Sequence, residues 1–199
     1  LMARAAKQAG TPAIRTSSIR DVIAIKEETG LPVIGLVKVQ YPGYEGFITP
    51  TMKEVDDLVA AGSDIVALDC TLRKRGDGST VNEFIAQIRE KYPDIILMAD
   101  ISNYEEGINA WKCGVDIVGT TMSGYTAYTS SVSDGPDYEL MERLSRDINI
   151  PVIGEGRIHY PDQAVKALQT GAWAIVVGGA ITRPLEIAMR FQNAIKESR

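Results

Sequence analysis

The chain has 199 residues, 45% of them apolar and 24% charged, enough to bury one core. Its formal net charge of −5, with no acidic or basic block, argues against a nucleic-acid partner or an anionic membrane, since either calls for a basic patch. No apolar run approaches the ~18 residues that span a bilayer and no signal peptide pattern opens the sequence, so we expect a cytoplasmic location and no membrane partner.

The sequence opens in a helical pattern, Met2 to Ala9, and a β-branched run follows near 13–15. A strand is expected at 32–38, entered through Pro32, where a missing N–H costs no ladder bond. Thr51 and Glu54 fit a capping box opening a helix with Val55, Leu58 and Val59 on its apolar stripe. Gly62 then leads to a strand at 64–70, Ile85 and Ile88 mark the next helix, and another strand falls at 95–100. Ser102 and Glu105 fit a second capping box. The joint Ala110–Val118 echoes Leu58–Val66: in both, a glycine is followed by a residue, an aspartate and Ile-Val, and the second leads to a strand at 116–121. Glycines there, and at Gly10 and Gly171, can take the left-handed backbone that closes a helix. Pro151 enters a strand at 151–155, Pro161 opens a helix, and a last strand at 174–178 precedes a helix opened by Pro184. Two cysteines, Cys70 and Cys113, lie in apolar segments without metal-ligand spacing, and read as buried thiols.

Single strands alternating with helices demand a parallel sheet. Eight such units close a barrel of about 200 residues or more, and seven strands are legible here. The expectation is therefore α/β, a (β/α)8 TIM barrel in one domain over 1–199, with the first strand missing from this chain. The competing open, doubly wound sheet needs a glycine-rich turn after an early strand, which Gly35-Leu36-Val37 does not supply.

In a barrel the chemistry gathers at the carboxyl ends of strands. The polar residues there are Arg15, Lys38, Asp69, Asp100, Thr120 with Thr121, and Glu155, followed by the Gly178-Gly179 pair. By alternation Lys38 shares a face with Ile34 and Leu36, so it is expected in the barrel mouth, where burial would favour the neutral amine and make it a base. The plainer reading is a lysine snorkelling at a strand end or paired for stability. Counting the absent strand, Lys38 lies on the third strand and Glu155 on the seventh, which face each other across an eight-stranded ring. Two proton-transferring groups on opposite faces of one carbon are what inversion there requires; the plainer role of Glu155 is a salt bridge to Arg157 or Lys38. Gly154, Gly156, Gly178 and Gly179, with Arg183 at the start of the last helix, suit a phosphate, because backbone N–H groups at a helix start attract anions. Arg15 and Asp100 could hold sugar hydroxyls or a carbonyl oxygen, or pair with each other, and Asp69 could do the same or cap its loop. His159 reads as an ordinary loop residue. One histidine and scattered aspartates make no tight transition-metal site.

Ala13-Ile14-Arg15, Gly35-Leu36-Val37-Lys38, the run Ile48 to Val55, Leu68-Asp69-Cys70-Thr71, Met98-Ala99-Asp100, the run Gly119 to Thr126, Glu155-Gly156-Arg157 and the run Val177 to Pro184 together resemble the N-acetylmannosamine-6-phosphate 2-epimerase family. The resemblance runs from the first helix to the last. It implies a phosphate-binding TIM barrel of bacterial sialic acid catabolism that converts N-acetylmannosamine 6-phosphate to N-acetylglucosamine 6-phosphate, with no metal or organic cofactor. By the same resemblance Lys38 is the catalytic lysine and Glu155 the partner carboxylate. Arg15 and Asp100 match substrate-binding positions, and Gly156, Gly178, Gly179 and Arg183 the phosphate site; Thr121, at its strand end, is a further candidate for substrate binding. The family also suggests a homodimer, and a first strand ending in a glutamine that touches substrate. Two other readings stand beside it: a Schiff-base lyase with Lys38 as nucleophile, and a non-catalytic sugar-phosphate binding barrel.

Overall fold

The computed structural model describes residues 1–130 and 135–198. Helix α1 (Met2–Gln8) leads to β1 (Ile14–Ser17), α2 (Ile19–Thr29), β2 (Val33–Leu36), α3 (Met52–Ala60), β3 (Ile65–Asp69), α4 (Val81–Lys91), β4 (Ile96–Asp100) and α5 (Tyr104–Lys112). There follow β5 (Ile117–Gly119), α6 (Tyr138–Asp147), β6 (Val152–Glu155), α7 (Pro161–Gln169), β7 (Ala174–Val176), a short α8 (Gly179–Thr182) and α9 (Pro184–Glu197).

Local chemistry accounts for the boundaries. Gly10, Gly62, Gly114 and Gly171 all have positive φ, between 77° and 95°, as the repeated helix-to-strand joint requires. The Thr51 capping box forms as expected, with Thr51 N–H and hydroxyl both on Glu54. The second expected box, Ser102 with Glu105, does not form. Asn103 rather than Ser102 caps α5, accepting from Glu106 N–H, because asparagine is at least as good a cap as serine. Pro161 and Pro184 open α7 and α9.

The strands form one parallel sheet in the order β1 to β7. Consecutive order excludes the doubly wound alternative, in which the chain reverses direction across the sheet. Two apolar layers follow from strand alternation. Val33, Val66, Leu68, Leu97, Ala99, Val118 and Val152 point outward onto Val22, Val55, Leu58, Ile85, Ile88 and Leu144 of the helices. Each fully buried leucine or isoleucine there contributes about 1.5–3 kcal/mol of transfer free energy. Ile34, Leu36, Ala67, Met98, Ile117 and Ile153 point the other way and meet Ala174 and Val176. Side chains from β2 and from β6–β7 reach one cluster only if the sheet curls, so the seven strands make a nearly closed TIM barrel. Among the described residues β7 and β1 form no ladder.

Several strands are shorter than their apolar runs. The consequential case is β2, which ends at Leu36 and not at Lys38, because a returning segment, 47–49, takes the place of a strand neighbour beyond it. Cys70 is buried, as expected, but Cys113 is only half-buried at the end of α5. Among the described residues no helix is long and apolar enough to cross a membrane.

Candidate active site

Register carries the polar strand ends to the inner face. Arg15 stands beside inward-facing Ile34, Asp69 beside Asp100, Asp100 beside Gly119, and Glu155 beside inward-facing Val176. At the carboxyl end of the barrel three of them, Arg15, Asp100 and Glu155, join with Thr121. Arg15 Nη2 donates to Asp100 Oδ2 at 2.5 Å, and its Nε lies 3.3 Å from Glu155 Oε2. Thr121 Oγ1 donates to Asp100 Oδ1 at 2.7 Å and stands 3.3 Å from Glu155 Oε2. Gly119 keeps room for them: a Cβ there would lie 2.4 Å from Met98 Cε and 3.2 Å from Thr121 Oγ1. Thr120 sets Glu155 from behind, its hydroxyl donating to Glu155 O (2.8 Å) and accepting from Glu155 N–H (3.1 Å).

Burial governs the electrostatics. The Asp100 side chain is wholly buried and that of Arg15 is 7% exposed. Desolvation alone would pull the Arg15 guanidinium down, but Asp100 and Glu155 outweigh it and hold its pKa above the ordinary arginine value. For Glu155 desolvation wins, and with the Asp100 charge it raises the carboxyl above the usual glutamate range, against Arg15, Thr121 and Lys38. The Lys38 charge is the least of these opposing influences, acting from the arm that continues β2, four strands along the sheet from β6. One expectation fails here. Lys38 is exposed and not buried in the barrel mouth. With β2 ended at Leu36, the lysine sits on a loop arm at the rim and not on a ladder within the barrel.

The remaining sequence candidates fall in three places. Asp69 takes the loop-capping role: its Oδ1 accepts from Thr71 N–H and hydroxyl, and its Oδ2 pairs with Arg73. Gly156 follows β6 with φ 113°, and Gly178 and Gly179 open α8 after β7. Arg183, exposed, stands just before α9 and pairs with Glu186 at 2.8 Å. Glu155 pairs with Arg15 and not Arg157, whose guanidinium clasps Gly135 O and Ser123 O. His159 keeps its ordinary role, its N–H on Gln163 Oε1, and burial together with Arg190 lowers its pKa.

Sequence reasoning missed two supports. Met98 Sδ is a further partner of Arg15, 3.3 Å from Nη1, and looked in sequence like any core methionine. Glu106 is fully buried and accepts from Ser102 N–H and hydroxyl, Leu72 N–H and Tyr128 OH, joining the loops after β3, β4 and β5. The Asn103 cap three residues earlier was the available signal. Among the described residues no three of His, Cys, Asp and Glu gather as a metal site.

A parallel barrel that turns an arginine, two carboxylates and a threonine toward one another at the carboxyl ends of its strands has the layout of the TIM-barrel class, whose chemistry lies on that face. Residues 1–197 match the model of the family described as "Putative N-acetylmannosamine-6-phosphate epimerase". The chain belongs to that family. Two curated relatives, each named "Putative N-acetylmannosamine-6-phosphate 2-epimerase", come from Caldanaerobacter subterraneus subsp. tengcongensis and Clostridium perfringens. The first is 56% identical over 198 residues, covering 100% of this chain and 83% of its own length; the second is 50% identical over 195 residues, covering 98% and 87%. The solved structure of the N-acetylmannosamine-6-phosphate 2-epimerase from Clostridium perfringens superposes with a TM-score of 0.91 at 49% identity, over 97% of this chain and 83% of that one. A thiamine phosphate pyrophosphorylase from Pyrococcus furiosus, 21% identical with a TM-score of 0.62 over 90% of this chain and 78% of its own, shares the fold alone.

Proposed function

We propose that the chain is an isomerase interconverting N-acetylmannosamine 6-phosphate and N-acetylglucosamine 6-phosphate, in the cytoplasm and within amino sugar catabolism. The observation that carries this reading is the joined cluster of Arg15, Asp100, Thr121 and Glu155 at the carboxyl end of the barrel, with the Lys38 charge acting on Glu155, in a member of this family.

The proton on carbon 2 becomes acidic when the sugar ring opens, because the electron pair left by its removal then delocalises onto the carbon 1 aldehyde oxygen as an enolate. Lys38 takes that proton. Arg15, always charged, donates to the enolate oxygen. Glu155, whose raised pKa keeps its proton to higher pH than an ordinary glutamate, returns a proton to the other face of carbon 2. Thr121 and Asp100 hold Arg15 and Glu155 in place. The phosphate takes backbone N–H groups at Gly156, Gly178 and Gly179, and Arg183 exchanges Glu186 for it.

Deuterium incorporation at carbon 2 in deuterium oxide tests the assignment. Lys38→Ala and Glu155→Gln should each lower epimerisation by about 10²- to 10⁴-fold. Undiminished epimerisation in Glu155→Gln would remove that residue from proton return and leave a single base working both faces. Undiminished exchange in Lys38→Ala would remove the lysine.

The reading extends to a homodimer. Leu185, Met189, Phe191 and Ile195 of α9 are exposed, between 48% and 72%, and an apolar surface of that kind marks an association face.

A further inference from the structure

Lys38 has no parallel strand neighbour, and the arm that carries it is tied to the barrel through a returning segment in which one buried threonine supplies the side-chain bonds. The pairing of β2 with β3 stops at Gly35 and Val66. Continued in that register, Val37 would send its N–H to Ala67 O and receive Asp69 N–H on its own carbonyl. Neither bond forms. Val37 N–H instead reaches Thr49 Oγ1 at 3.2 Å, and that hydroxyl donates onward to Ala67 O at 2.7 Å. Val37 O receives Thr49 N–H (2.7 Å), and Asp69 N–H goes to Ile48 O (2.9 Å). Segment 48–49 is therefore wedged between the two strands and relays both missing ladder bonds. On its outer side Val39 N–H donates to Phe47 O, which closes a short antiparallel arm with Lys38 opposite Ile48.

Thr49 is the keystone of this wedge. It is fully buried, and its φ of +46° puts a β-branched residue in the left-handed region, where such side chains are outliers. Strain of that kind persists where the surroundings over-determine it, and it clusters at functional sites. Its hydroxyl hydrogen bonds fix the residue immediately before Lys38 to the strand that carries Asp69. We infer that Thr49 is a positioning residue for Lys38: the relay through its hydroxyl sets where the lysine stands over the barrel mouth, opposite Glu155. This rests on the catalytic assignment of Lys38 and adds to it the device that aims the amine.

The test compares Thr49→Val, which keeps the shape and loses the hydroxyl, with Thr49→Ser, which keeps the hydroxyl, and with Thr49→Gly, which loses the hydroxyl yet is free of strain at this φ. Each is measured for kcat, KM and unfolding temperature, alone and with Lys38→Ala. Thr49→Val and Thr49→Gly should lower kcat by about 10- to 100-fold, the range a misplaced catalytic group produces, with KM changed by less than about threefold. Thr49→Ser should restore kcat, and with Lys38→Ala present the valine variant should cause no further loss. If Thr49→Val fails to fold, Thr49→Gly decides. Full kcat in a folded variant without the hydroxyl, or failure of serine to rescue, overturns the inference while Lys38 keeps its role. Undiminished exchange in Lys38→Ala overturns both.

Discussion

Arg15 and Asp100 lie 85 residues apart, on strands with two others between them, and close on each other at 2.5 Å in a site that solvent scarcely enters. The pair is the fixed point of the barrel mouth. Asp100 is satisfied by Arg15 and Thr121 together, while the other two guanidinium nitrogens, Nε and Nη1, meet Glu155 and Met98 Sδ.

Removing one half of this pair strands the other. Arg15→Met should destabilise the fold by about 3–5 kcal/mol, because a wholly buried Asp100 carboxylate loses its counter-charge. Arg15→Met with Asp100→Leu should recover much of that loss, while activity stays low in both. Denaturant midpoints for the two singles and the double give the coupling; equal stability of Arg15→Met and the parent would contradict the pairing.

Glu155 predicts a pH signature. Burial raises its folded-state pKa above that of the unfolded chain, so the folded protein keeps the proton longer. The stability it contributes is complete below the unfolded value of about 4.3 and is lost as pH rises through the folded one. Glu155→Gln imitates the protonated form. It should therefore melt above the parent at about pH 8 and lose that advantage at about pH 4, a reversal that thermal unfolding across the range would reveal.

Arg183 separates binding from folding. Its pair with Glu186 is solvent-exposed and worth about 0–1 kcal/mol, so Arg183→Ala should leave the unfolding temperature nearly unchanged. For the phosphorylated sugar KM should rise about tenfold or more with kcat little affected, as loss of a charge-assisted phosphate contact dictates. An unchanged KM would take Arg183 out of the phosphate site.

The apolar face of α9 is tested by one charge. Phe191 is 69% exposed, so Phe191→Glu costs the isolated subunit little. Buried in an interface, the new carboxylate would be left unpaired, and sedimentation should show a dimer in the parent and a monomer in the variant. Identical mass in both would place the interface elsewhere.

The sequence by itself determined whatever depends on neighbours along the chain. Glycines at positive φ ended four helices, Thr51 and Glu54 capped one, prolines opened two, and the carboxyl ends of the apolar runs marked Arg15, Asp69, Asp100 and Glu155 as the residues at the barrel mouth. Family motifs named the same positions. Only the tertiary structure decided which charges meet. Arg15 takes Asp100 and Glu155, Asp69 turns to Arg73, Arg157 clasps carbonyls, and Lys38 stands exposed on an arm that Thr49 ties down. These outcomes depend on strand register and on where a returning loop lodges between two strands, and both are set by contacts among residues that no local spacing brings together.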